Sequence, residues 1–96
     1  MIIGASILEL NLPGVRSLKE KRGTLKSLIA QLQKKFNASV AEVGLHDVWQ
    51  SASLGVSVVS TNRLHAEEML QNIAGWIERY RPDVDLIEST VETIAL

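Results

Sequence analysis

The chain has 96 residues, 46% of them hydrophobic and 22% charged, with a formal net charge of −1 and no cysteine. That length makes one domain, residues 1–96, with a modest core and little stability to spare. Disulfides, thiol catalysis and cysteine-ligated zinc are excluded, and the overall charge gives no global pull towards nucleic acid or membrane.

The opening MIIGASILEL is apolar but lacks a basic leader and a small-residue cleavage site, so it reads as a strand. No apolar run reaches the ~20 residues that a membrane-spanning helix needs. The expected setting is the cytoplasm, with no membrane partner. In residues 2–12, Ile3, Ala5 and Ile7 alternate with Leu8, Leu10 and Leu12 on the opposite side. A strand apolar on both faces is a central one. Pro13-Gly14 ends it.

Ser17-Leu18-Lys19-Glu20 has the spacing of a capping box, in which the Ser17 hydroxyl accepts from a first-turn N–H and Glu20 reaches back to the Ser17 N–H. Leu18, Leu25, Leu28, Ile29, Leu32 and Phe36 then fall in one arc at helical period, which predicts an amphipathic helix to about residue 36. Residues 38–44 read as a short strand, interrupted by LHDVWQ at 45–50. Ala52, Leu54, Val56 and Val58 alternate with small polar residues as a half-buried strand. Ser60-Thr61-Asn62 offers caps for a second helix with the stripe Leu64, Met69, Leu70, Ile73, Ile77 and Tyr80, ended by Arg81-Pro82. Residues 84–94 read as a last strand, with Ile87 and Val91 on one face and Glu88, Thr90 and Glu92 on the other.

The order β-α-β-β-α-β predicts an α+β, ferredoxin-like fold: a four-stranded antiparallel sheet with two helices on one face. Both faces of the first strand are apolar, so one stays open. Self-association, with a dimer favoured, is the expected way to cover it.

Charge is unevenly placed. Residues 16–35 hold seven basic side chains and one acidic one, a local +6 that leaves −7 for the rest. Arg16, Lys19, Arg22 and Lys26 cluster at the start and along one flank of the first helix. Lysines in a first turn oppose the helix dipole, at a cost of up to about 1 kcal/mol. An anion or RNA backbone bound there would explain that arrangement, and a solvated helix flank is the plainer alternative.

His46, Asp47, Trp49 and Gln50 form a second candidate contact site. His46 beside Asp47 has the residue types of an acid–base pair, but neighbours in an extended segment point apart. No Gly-x-Ser-x-Gly elbow accompanies them. The plainer reading is a structured hairpin with Asp47 capping a turn and Trp49 packed back on a helix end. His46 and His65 are isolated, and no metal-ligand spacing or phosphate-cradling glycine loop occurs. His65 reads as a surface or capping group. No cofactor is expected, and no catalytic motif is present. The strand SASLGVSVV has no aromatic, which argues against base stacking on the sheet as in RNA-binding ferredoxin-like domains.

Pro13-Gly14, RSLKEKR at 16–22, Ala41-Glu42-Val43, and Asp47-Val48-Trp49-Gln50 leading to Leu54-Gly55-Val56 resemble the YlxP-like family of small bacterial proteins of unknown function. The resemblance spans nearly the whole chain. It implies a ferredoxin-like fold and a chromosomal setting near translation and ribosome-maturation genes. It carries over no catalytic residue. The expectation is therefore a non-enzymatic cytoplasmic module that contacts RNA or a ribosome-related assembly by charge through its first helix. The alternative is a homo-oligomeric module that binds a small anion or a protein partner.

Overall fold

A computed structural model describes residues 1–96. The elements run β1 (Ile2–Asn11), α1 (Leu18–Lys35), β2 (Ser39–Gly44), β3 (Ser51–Ser60), α2 (Arg63–Tyr80) and β4 (Asp85–Ala95). All pairings are antiparallel and the strand order is β2-β3-β1-β4. This is the expected ferredoxin-like arrangement, with β1 and β3 at the centre.

The two sides of β1 have different fates. Leu8, Leu10 and Leu12 are buried with Leu54, Val56 and Val58 of β3 beneath the helices. Leu25, Leu28 and Leu32 of α1 and Ala66, Leu70, Ile73 and Ile77 of α2 close this core. Gly4 marks the closest approach of α2, since a Cβ there would lie 3.1 Å from Leu70 Cδ1 and 3.2 Å from Ala66 Cβ. Ile3, Ala5 and Ile7 face away from the helices.

Both helices start where the capping residues predicted. Ser17 Oγ accepts from Glu20 N at 3.1 Å, and Asn62 Oδ1 accepts from His65 N at 3.1 Å. The glutamate half of the box differs from expectation: Glu20 Oε2 accepts from Arg16 N at 2.6 Å, one residue before the cap. His65 belongs to the second cap, with Nδ1 2.9 Å from Ser60 Oγ.

Two expected stripes change at their ends. Leu64 and Tyr80 are exposed, while Trp76 packs edge-on against Phe36 at 6.4 Å between ring centroids. In β4 the pairing slips between Glu9 and Leu10, so that Leu10 faces Leu86 and Glu9 faces Glu88. Ile87 is the extra residue at this bulge, so it does not share the regular alternation with Val91. Arg81, nearly buried, joins the C-terminal end of α2 to α1. Its Nε and Nη2 bind both oxygens of Asp83, and its Nη1 donates to Gln31 Oε1 at 2.8 Å.

Candidate functional site

The four basic residues singled out on α1 are all exposed. None of Arg16, Lys19, Arg22 and Lys26 has a carboxylate within ion-pair distance; the chain's two ion pairs are Lys21–Glu42 and Arg81–Asp83. Arg22 and Lys26 line a groove between α1 and β2 together with Leu25, Ile29 and Glu42, whose carboxylate pairs with Lys21. Their charge is thus available to an outside anion. At the helix N-terminus itself, Ser17 Oγ accepts from Glu20 N, while the Glu20 carboxylate is engaged by Arg16 N ahead of the cap.

Lys21, in the middle of the same basic run, behaves differently. It is 1% exposed, on the core side of α1. Its Nζ donates to Leu45 O at 2.5 Å and lies 3.0 Å from Glu42 Oε2. The ion contact is off the hydrogen-bond direction, so this buried carboxylate oxygen has no donor of its own. Lys21 enters the charge count of residues 16–35 but is not among the four residues expected on the exposed flank. Its position was legible all the same: Lys21, Leu25, Leu28 and Leu32 follow the i, i+4, i+7, i+11 spacing of one buried face.

Lys21 holds the β2–β3 loop. Leu45 has φ 59°, a left-handed conformation unfavourable for a branched side chain. Its carbonyl accepts from both Lys21 Nζ and Val48 N, the latter at 3.0 Å. The loop's other end is fastened by Leu12 N donating to Gln50 O at 2.9 Å, and by Gln50 Nε2 donating to Val15 O at 3.0 Å. Gln50 is therefore a structural clamp. These contacts pin residues 45–50 onto the segment that leads into α1.

The pinned loop displays its side chains outward. Trp49 is 52% exposed, and Leu45 and Val48 are also exposed. Against the expectation that Trp49 packs on a helix end, about half of the residue is exposed and it is not among those packed against the core, and the loop is held by hydrogen bonds of Gln50 and Leu45. Asp47 does not cap the turn, which is closed by backbone from Val48 to Leu45. The side chains of His46 and Asp47 are exposed and not hydrogen-bonded to each other, so nothing orients the imidazole for proton transfer. No three His, Asp or Glu side chains converge as metal ligands would.

The structure thus joins two candidates that lie 30 residues apart in sequence. Trp49 and Arg16 each neighbour one partner of the Gln50–Val15 hydrogen bond. The result is an exposed apolar and aromatic loop whose backbone is tied to the segment that leads into the basic helix. The other side of the sheet has the opposite character, carrying Glu9, Glu88 and Glu92 and no cation on its strands. No helix is long and apolar enough to cross a membrane.

Comparison with known proteins matches residues 3–91 to a family described as "Protein of unknown function (DUF503)". The chain is 37% identical over 84 residues to "Uncharacterized protein YlxP" of Bacillus subtilis (strain 168), an alignment covering 88% of this chain and 90% of that protein.

Proposed function

The chain belongs to the DUF503 family of proteins of unknown function, and from its geometry we propose that it is a non-enzymatic module contacting single-stranded RNA, in the cytoplasm, as part of a ribosome-related assembly. The observation that carries this reading is the fastening of the loop that bears exposed Trp49 to the helix that bears the unpaired cations and to the segment leading into it. Phosphates are attracted by Arg16, Lys19, Arg22 and Lys26, and an unpaired base stacks on Trp49. Stacking of one base on an aromatic contributes ~1–3 kcal/mol. A duplex keeps its bases within its own stack and cannot use that ring, so single strands are preferred. The loop is fixed at both ends before any ligand arrives, which lowers the ordering cost of binding. The acidic open face of the sheet repels the same backbone, so contact is confined to the helix side.

A fluorescence-anisotropy comparison of a single-stranded oligonucleotide with its duplex tests this. Trp49→Ala should weaken single-strand binding by about tenfold, within the range of one lost stack, and leave thermal stability unchanged, since the ring is outside the core. Equal affinity of wild type and Trp49→Ala would remove the loop from the site.

A further inference from the structure

We propose that the open face of the sheet is a dimer interface, on which a second copy of this chain packs face to face. Directly paired residues of antiparallel strands share a face, so the strand register maps this surface in rows. Ile3 pairs with Val59 and Ile94, Ala5 with Ser57 and Glu92, and Ile7 with Gly55 and Thr90. Val43 lies over Gly55, with Cγ1 2.8 Å from where a Cβ would stand. Ile7, Val43, Val59 and Ile94 are all exposed, Val59 at 61%. The acids Glu9, Glu88 and Glu92 sit at the strand end or on the edge strand. The face is thus an apolar centre with an acidic rim, the anatomy of a protein interface.

The occupant follows from shape, area and charge. A two-fold axis running along the strands, between β1 and β3, lays β1 of one copy over β3 of the other. It sets Ile7 of each copy above Gly55 of the other, against the Val43 side chain that covers that glycine. It sets Ile3 over Val59. It also carries β4 of each copy over β2 of the other, so Glu88 and Glu92 of the two copies stay apart, while Glu9 of each copy lies over Ser53 of the other towards the end of the strands. The face is therefore complementary to itself, as an isologous interface requires. Strands of 10, 6, 10 and 11 residues at about 3.3 Å per residue, side by side at about 4.8 Å, give a face of roughly 600 Å². Two such faces bury about 1,200 Å² in all, the lower bound of stable specific interfaces. The dimer is accordingly expected in the micromolar range. Its two α1 helices and Trp49 loops point outward on opposite sides.

Sedimentation equilibrium from low to high micromolar concentration tests this on the full chain. Wild type should move from a mass of 10.6 kDa to twice that value. Val59→Lys should stay monomeric, with an unchanged melting temperature at low concentration. The chain has no cysteine, so Ser57→Cys supplies an independent reading should Val59→Lys not fold. A short bifunctional maleimide should cross-link Ser57→Cys into dimers and leave Gly75→Cys, on the outer helix layer, monomeric. Wild type that remains monomeric at high micromolar concentration overturns the proposal. So does a dimer that Val59→Lys leaves intact while Ile87→Lys, at the β4 edge, abolishes it.

Discussion

Replacing Lys21 by Met keeps the length of the buried stem and removes its charge. Two interactions go with it. The Leu45 carbonyl loses a charged donor, worth about 1.5–3 kcal/mol. Glu42 loses its counter-ion; a fully buried carboxylate stripped of its partner would cost about 3–5 kcal/mol, but Glu42 retains 22% side-chain exposure, and water screens part of that. Together these lead to an expected loss of about 3 kcal/mol, or roughly 12–24 °C in melting temperature for a domain of this size. The double variant Lys21→Met/Glu42→Leu removes the orphaned charge and should recover most of that loss, because apolar replacement of a buried pair is often neutral. Urea unfolding of wild type, both single variants and the double variant measures the coupling directly. A Lys21→Met variant that loses less than about 1 kcal/mol, or a double variant no better than the single, would refute the buried pair as the fastening of the loop.

Ser17→Ala removes the hydroxyl that accepts from Glu20 N and should cost about 1 kcal/mol in chemical denaturation. Gly75→Ala, at a helical position with nothing within 4 Å of an added Cβ, should instead raise stability by about 0.5–1 kcal/mol. The hydrogen bonds from Arg81 hold the Asp83 carboxyl below its ordinary value of 3.8, against a smaller opposing effect of burial. The folded pKa being the lower one, this pair's stabilisation is complete above the ordinary value and is lost as pH falls through the lowered one. Asp83→Asn should therefore flatten the acid limb of a stability–pH profile and leave its relative shape near neutrality unchanged.

The architecture was legible because it rests on local signals that agree: alternation in β1 and β3, capping serine and asparagine, and Pro13-Gly14 and Arg81-Pro82 as stops. The slip in β4 was not, because a bulge is set by pairing with β1 and leaves no mark in composition. Trp49 was misplaced for a related reason. A large aromatic in a loop is ordinarily expected to pack inward, and only the tertiary contacts of Lys21 and Gln50 show that the loop is closed without it. Lys21 followed the helical period of the core, but its charge grouped it with the surface residues around it. Its partner Glu42, on another element, is what permits its burial. The four exposed cations were identified from sequence alone, whereas the tie between their helix and the Trp49 loop depends on contacts such as the Gln50–Val15 hydrogen bond, across 35 residues.

The central claim is that α1 and its attached loop meet an RNA backbone. The most direct measurement is a fluorescence-anisotropy titration of single-stranded RNA at several salt concentrations, with wild type and a Lys19→Gln/Arg22→Gln double variant. Four phosphate contacts predict a slope of log affinity against log salt of roughly −3, with dissociation constants of about 10⁻⁴ to 10⁻⁶ M near physiological salt. The double variant should bind every RNA sequence more weakly, with a slope flatter by about 1–2 units and unaltered folding. Equal binding by the two proteins, or no binding by either at low salt, would contradict the account and leave Arg16, Lys19, Arg22 and Lys26 as the solvated flank of a helix.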